Sequence, residues 1–350
     1  MAFPKASILW VNYNSMNFIN IVTDSLKEIA NLDYPNYEVI VVDNGSTDGS
    51  FAVIRELAER NNFKLIRLNK NLGFTGGNNA GFRARDKDSK YVVLINNDAI
   101  PFQNSLEELV ELMENEEDVG GAQGIILDFN GLIDRAGMMM DEVLASHPLF
   151  RGRSPRDINK PLAITYPSGA FAVYRVKAVL DVWHGKEKLF FDFGFGYFDD
   201  NVLGLQLWNY GWKCKFYPVI SGKHRQSTSF GKAGPLRAYL SLRNALLLGS
   251  MVNSRYKGLI PAFALRDSMP RAFRPISRAI SDFLRLRPLL EDCRLDLYKA
   301  PVIRLSLEDL IKLMGLRRKF TAEIGRKLST LLQNTEVTET NLRIGGNLVS

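Results

Sequence analysis

Tyr91-Val92-Val93-Leu94-Ile95-Asn96-Asn97-Asp98-Ala99 passes from five apolar residues straight into two amides and one carboxylate. A run so short and so uniformly apolar predicts a strand buried on both faces of a parallel sheet. Its polar end then lies at the carboxyl edge of the sheet, where open α/β sheets bind their ligands. Asp98 is a hard oxygen ligand at that edge, suited to a divalent cation and, through it, to an anionic substrate. Position alone leaves a second reading open, in which Asn97 and Asp98 cap the next helix.

The residues on the N-terminal side repeat the pattern. Residues 6–14 read as a first buried strand ending in a polar turn, 37–42 as a second, and 63–68 as a third. Helical spacing of apolar residues separates them, at 17–32 (Phe18, Ile21, Val22, Leu26, Ile29) and at 51–58. This alternation predicts a right-handed, mainly parallel, Rossmann-like α/β sheet with helices on both faces. Three of the four strands end in amides or carboxylates: Asn12 and Asn14, Asp43 and Asn44, then Asn96, Asn97 and Asp98. In a parallel sheet those ends share one edge, so the chain supplies a single polar crevice.

The glycine-rich stretch Asn71-Leu72-Gly73-Phe74-Thr75-Gly76-Gly77-Asn78-Asn79 precedes the fourth strand. It is neither the dinucleotide fingerprint nor a P-loop, since it lacks the G-x-G-x-x-G spacing and the Lys-Ser/Thr pair. It reads as a loop whose glycines let backbone N–H groups approach a phosphate, or else as a tight turn into a helix at 78–86.

Taken together, strand-Asn12-Tyr13-Asn14, Asp43-Asn44-Gly45-Ser46-Thr47-Asp48-Gly49, the Asn71–Gly81 stretch and Leu94-Ile95-Asn96-Asn97-Asp98 resemble the nucleotide-sugar half of inverting GT-A glycosyltransferases. The nearest group is family 2, in its rhamnosyltransferase-like branch. The resemblance implies an enzyme of the hexosyltransferase type with a GT-A fold and a nucleotide diphosphate sugar as donor. It implies that Asn12 and Asp43 contact base and ribose and that Asn78 lies near nucleotide or sugar. Asn14, Asn71, Gly73, Gly77 and Asn97 complete the expected donor site. Asp98 becomes the metal-binding acid of an Asp-x-Asp-like motif for Mg²⁺ or Mn²⁺, with an amide, Asn96, in place of the first acid.

The resemblance continues through residues 102–232, the expected acceptor half of a catalytic domain spanning 1–232. A helix at 104–115, a strand at 119–128 and a hairpin at Asn130-Gly131 precede a polar, proline-bearing segment at 141–161, read as a mobile loop over the site. In Phe190–Asp200, Asp199 and Asp200 stand where the family has its Glu-Asp acceptor-side pair, heading a helix. Inverting transfer needs a carboxylate to take the proton from the attacking hydroxyl, and paired carboxylates raise one pKa toward neutrality. Asp200 is the expected base, with Asp199 second; an N-cap pair on a helix is the competing reading. Val202 stands where the family has a further acid. His224 matches a family histidine that completes the metal site or touches the diphosphate, and Arg243, in a Tyr-x-x-x-Arg-Asn helix, is expected at a diphosphate or a lipid phosphate.

The remaining chain, 233–350, reads as a helical, basic region. Residues 225–350 hold 22 Lys/Arg against 10 Asp/Glu, whereas the first 224 hold 23 against 28. Arginine interleaved with leucine and phenylalanine fits either a helix lying on an anionic membrane or a helical subdomain packed on the catalytic core. The last fifteen residues, rich in Thr, Asn and Gly, are expected to fray. Two distant cysteines argue against a disulfide framework or a structural zinc site. No signal-like segment and no run of about 18 apolar residues is present, which predicts a cytoplasmic location, peripheral at most on the membrane. The expected partners are the sugar donor and a glycan or lipid-linked acceptor, with no nucleic acid. A carbohydrate- or nucleotide-binding protein without chemistry and a sugar-phosphate nucleotidyltransferase stay open as rivals.

Overall fold

The apolar strands fold as their uniformity requires, because alternate side chains must be buried on opposite faces. The computed structural model describes residues 3–225, 234–268, 273–290, 292–315, 323, 342–344 and 347–349. Strands β1 (Ala6–Asn12), β2 (Tyr37–Asp43), β3 (Lys64–Arg67) and β4 (Tyr91–Asn96) pair in parallel in the order β3-β2-β1-β4. Ile8, Trp10, Val39, Val41, Val93 and Ile95 point to one face, where Val22, Leu26 and Ile29 of α1 (Ile19–Ala30) and Ile54 of α2 (Ser50–Arg60) cover them. Leu9, Ile40, Val42, Val92 and Leu94 point to the other, against Phe82 of α3 (Gly73–Ala84). A single periodicity thus serves two cores.

The second half of the sheet is mixed. After β5 (Ala99–Pro101) and α4 (Ser105–Glu114), β6 (Val119–Leu127) turns through Gly131, at φ +80°, into β7 (Ile133–Arg135). Strand β11 (Phe171–Arg175) runs antiparallel between β4 and β6, and leads into α5 (Val176–Val182). After α6 (Asp199–Asn209), the long β12 (Lys213–His224) lies parallel to β6 and antiparallel to β5. The short β10 (Leu162–Ala163) closes that edge.

Two expectations need correction. The glycine-rich stretch is the first half of α3 itself, not a loop before it. Small residues explain why: a Cβ on Gly77 would meet Val11 Cγ1 at 2.6 Å, and one on Gly81 would meet Leu9 at 3.2 Å. Glycine at these two positions lets α3 lie directly on β1 and β2. The segment 141–161 is not a loose lid. Strand β8 (Met138–Asp141) pairs with β9 (Ser146–Pro148), and Val143, Leu144, Ala145, Leu149 and Phe150 are buried. The prolines and polar residues that suggested a loop stand between buried apolar ones.

Described residues from 234 to 303 pack on this body. Helix α7 (Pro235–Met251) meets α8 (Ile260–Ser268) and α9 (Phe273–Leu286). Its Leu247, Leu248 and Met251 share a core with Met140, Tyr166 and Leu205 of the preceding half. Strand β13 (Val302–Ile303) adds to β8 in parallel. The buried Glu142 accepts from Arg255 (2.8 Å) and from the Leu305 N–H (2.7 Å), tying the two parts by charge as well. Among the described residues, no helix is long and apolar enough to cross a membrane. The last fifteen residues, where fraying is expected, fall mainly outside the described set.

Candidate active site

The strand ends do converge. A cleft of about 200 Å³ opens between the ends of β1 and β4, the first turns of α3, and the loops around Gly169 and Phe195. Tyr13, Asn44, Asn71, Phe74, Asn78, Asn96 and Asn97 contribute to its wall, as does Leu236 from the start of α7.

Not every predicted donor residue faces it. Asn12 and Asp43 are wholly buried and turned toward one another, with Asn12 Nδ2 donating to Asp43 Oδ1 at 3.1 Å. Asn12 also donates to Ser46 Oγ and accepts from Ser15 Oγ, while Asp43 Oδ2 accepts from the Ser46 N–H. These two residues pin the strand ends together. Their neighbours Tyr13 and Asn44 line the cleft instead, Asn44 as one of the expected polar strand ends and Tyr13 outside the expected donor set. Asn14 sits at φ +45° and caps the Thr47 N–H, outside the cleft wall. Asn44 and Asn71 fix the entry to α3, through Asn44 Nδ2 to the Gly73 carbonyl (2.8 Å) and the Gly73 N–H to Asn71 Oδ1 (2.7 Å). The N–H of Thr75 goes to the Phe195 carbonyl. The Gly73, Thr75 and Gly76 N–H groups of this first turn are thus bonded within the protein. Gly73, at φ +73°, lines the cleft with no room for a side chain, since a Cβ would lie 2.1 Å from the Phe195 carbonyl oxygen. Gly77 contacts β1, so Gly77→Ala is expected to act by overpacking. It should cost about 1–3 kcal/mol of stability, and a thermal melt should report this before any change in nucleotide affinity.

Next to cleft-lining Asn97, Asp98 meets His224 although 126 positions separate them. The cause is register: β5 pairs with β12 so that Ala99 stands opposite His224. His224 Nε2 lies 3.1 Å from Asp98 Oδ1, and its Nδ1 lies 3.1 Å from Asp134 Oδ2. Burial works against charge on His224, but the bonds to Asp134 and Asp98 outweigh it and raise its pKa. Burial likewise resists charge on Asp134, yet His224, Arg135 and Arg151 together hold its carboxyl below the ordinary range. Asp134 is not among the residues singled out from sequence, where it is one acid in the hairpin after Asn130-Gly131.

The network continues to the other acid. Arg135 Nε donates to Asp134 Oδ2 (3.0 Å) and its Nη1 to Ser168 Oγ (2.8 Å). The next residue, Gly169, donates its N–H to Asp200 Oδ2 at 2.9 Å. Asp200 Oδ1 is shielded from solvent and has no hydrogen-bond partner. Burial pushes the Asp200 pKa up to about 6, against the lowering effects of Gly169 and Arg135. Asp199 is more deeply buried, and burial together with the adjacent Asp200 charge raises its pKa well above the usual range.

Both acids hang from a strained loop. Phe195, Tyr197 and Phe198 have φ of 65°, 66° and 65°, a region non-glycine residues rarely enter. The clamps come from two helices. Asn244 Nδ2 reaches the carbonyls of Gly194, Gly196 and Tyr197 at 2.8–3.1 Å. Arg243 Nη2 reaches those of Phe193 (2.9 Å) and Gly194 (2.6 Å). From α3, Thr75 Oγ1 accepts from the Phe195 N–H at 2.9 Å. Arg243, expected at a diphosphate or a lipid phosphate, is buried and bonded to this loop. A basic residue in a helix gives no sign of which acceptors its fork will meet.

Residues 7–183, half of the chain, match the family model described as "Glycosyl transferase family 2". The chain belongs to glycosyltransferase family 2. Curated family 2 relatives include a poly-beta-1,6-N-acetyl-D-glucosamine synthase of Staphylococcus aureus, 22% identical over 58% of this chain and 46% of that one. A dolichyl N-acetyl-alpha-D-glucosaminyl phosphate 3-beta-D-2,3-diacetamido-2,3-dideoxy-beta-D-glucuronosyltransferase of Methanococcus voltae is 29% identical over 40% of this chain and 47% of that one. The chain thus spans about half the length of the curated relatives it matches. In fold it resembles S. aureus TarS 1–349 in complex with UDP-GlcNAc, with TM-score 0.53 and 15% identity, over 99% of this chain and 95% of that one. It also resembles the mannosyltransferase PcManGT of Pyrobaculum calidifontis in complex with GDP-Man and Mn²⁺, with TM-score 0.50 and 17% identity, over 95% and 85%. The architecture is the GT-A fold that the sequence resemblance implies.

Proposed function

We propose that this protein is an inverting glycosyltransferase of the hexosyltransferase type. It moves a sugar from a nucleotide diphosphate sugar in the cleft to a hydroxyl of a glycan or lipid-linked acceptor. The observation that carries the reading is Asp200 Oδ1: a buried, unpartnered carboxylate oxygen with a pKa near 6, on a residue bonded to cleft-lining Gly169. Such a group suits a general base. The acceptor hydroxyl attacks the anomeric carbon, the bond from that carbon to the diphosphate oxygen breaks with inversion, and the hydroxyl proton passes to Asp200. Asp199, its pKa raised by burial and by the adjacent Asp200 charge, lies beside it, and Arg135 bonds both Asp134 and Ser168.

Asp98 and His224 fit a divalent cation. One carboxylate oxygen and one imidazole nitrogen adjoin, and Asp134 holds the far side of the ring, as carboxylates commonly do behind metal-bound histidines. Among the described residues no group of three His, Cys, Asp or Glu forms an all-protein cage. Asp98 and His224 would hold Mg²⁺ or Mn²⁺, which would supply charge neutralisation to the leaving diphosphate.

The test is thermal stability with UDP, GDP, dTDP and CDP, with and without Mn²⁺. A ligand that binds only the native state raises the midpoint, by about 2.7 kcal/mol of stabilisation at a hundredfold excess over Kd. One nucleotide should raise it, and Mn²⁺ should raise it further in the native protein but not in Asp98→Asn. The matching donor sugar should then release free nucleoside diphosphate. Pyrophosphate would instead indicate nucleotidyl transfer, and no shift with any nucleotide would overturn the donor site.

A further inference from the structure

Helix α9 is more apolar than its packing uses. Ala279 is fully buried, and Ile276, Phe283 and Leu286 lie half-buried against the cores that include α7. Ile280 and Leu284, one turn apart and adjoining that buried face, are 44% and 60% exposed. Leu289, just beyond the helix, is 67% exposed. Arginines flank this apolar edge: the side chains of Arg278 and Arg285 are 76% and 74% exposed, and Arg287 is exposed. The one acid on the helix, Asp282, is already engaged by Arg285 at 3.0 Å and by the Tyr239 hydroxyl, so it offers little to an incoming cation. Between 273 and 290 the chain holds four arginines against that single acid.

We propose that the outer face of α9 and the turn after it dock on an anionic lipid surface. Guanidinium groups beside exposed leucine and isoleucine match a bilayer interface, where aliphatic side chains enter the acyl boundary and arginines meet lipid phosphates. On this proposal the two sequence readings of the region apply to adjacent arcs of one helix: one arc packs on the body and the next meets lipid. Helix α9 packs on α7, whose first turn supplies Leu236 to the cleft and whose middle holds the acid-bearing loop. At about 1.5 Å per residue the 17 residues of α7 span about 25 Å, so a surface that holds α9 keeps the cleft near lipid. The docking itself is independent of the proposed transfer; only its consequence, access to a lipid-linked acceptor, rests on that reading.

The experiment is co-sedimentation of the full chain with vesicles of phosphatidylcholine alone and of phosphatidylcholine with phosphatidylglycerol. Partitioning is expected on the anionic vesicles, weakened by salt, with little on the neutral ones. Ile280→Ser with Leu284→Ser, and separately Arg285→Gln with Arg287→Gln, should each reduce it about tenfold or more. Thermal midpoints and the nucleotide-induced shift should remain as in the native protein, which separates loss of docking from loss of the donor site. No binding to anionic vesicles, or binding by both variants equal to the native protein, would overturn the proposal. A change in self-association in place of vesicle binding would assign the face to a protein partner and overturn it as well.

Discussion

Asp200→Asn is expected to lower kcat by roughly 10²–10⁴-fold while leaving the thermal midpoint unchanged or higher. The asparagine keeps the size of the side chain and can still accept the Gly169 N–H, so the turn at 168–169 stays in place. It cannot take a proton. The stability half of the prediction follows from the sign of the pKa shift. A carboxyl whose folded pKa is raised contributes stability below its unfolded value, and that contribution is lost as pH rises through the folded one. For Asp200 the loss occurs between about 4 and about 6, so at neutral pH its ionised form opposes folding. The amide removes that opposition. The same sign governs the rate in the native enzyme: transfer should rise with pH through about 6, where Asp200 ionises, and level off above it. A variant retaining more than a tenth of native kcat, or a rate falling as pH rises through 6, would take Asp200 out of the proton transfer.

Asn244→Ala should be the most damaging change outside the cleft. One amide nitrogen serves three carbonyls of the loop that carries the acids. Its removal leaves buried carbonyls short of donors, at about 1–3 kcal/mol each when unpaired, without simple additivity. Three residues of that loop hold left-handed conformations, each costing on the order of 1–3 kcal/mol and persisting only while the surroundings enforce them. With Asn244 gone, Arg243 and Thr75 remain as clamps, and the loop should relax toward ordinary dihedral angles. Phe198 leads directly into Asp199 and Asp200, so the relaxation moves the base. A displacement of about 1 Å is enough for a loss on the order of 10²-fold in rate. The expected result is a midpoint lowered by several degrees and a kcat reduced about 10²-fold, with a smaller change in donor KM. Native kcat in the variant would mean that Arg243 and α3 hold the loop unaided.

These two residues mark how differently parts of the site could be read. The order of strands and helices in the first hundred residues was legible because burial on two faces imposes a pattern that survives in one dimension. Leu9 and Ile8, or Leu94 and Val93, must both be apolar whatever else happens. The pairing of Asp199 with Asp200 at a helix start was legible too, since the two are adjacent and local backbone geometry alone places them. The glycines were misread because Gly73 to Gly81 looks alike in a phosphate loop and in a helix laid flat on a sheet. What separates the cases is Val11 and Leu9, some seventy residues away.

The sequence by itself determined the α/β architecture, the edge on which the polar residues gather, and the family. These depend on periodicity and on short-range spacing. The tertiary structure decided which amides face the cleft and which are spent on neighbours. Asn12 and Asp43 satisfy each other, while Tyr13 and Asn44 beside them line the cleft. It also brought His224 to Asp98 through the register of β5 with β12, set Asp134 and Arg135 between the two acidic centres, and turned Arg243 inward. The physical reason is reach. A hydrogen bond requires its partner within about 3 Å, and those partners are supplied by segments tens of residues apart, whose relative register no local pattern encodes.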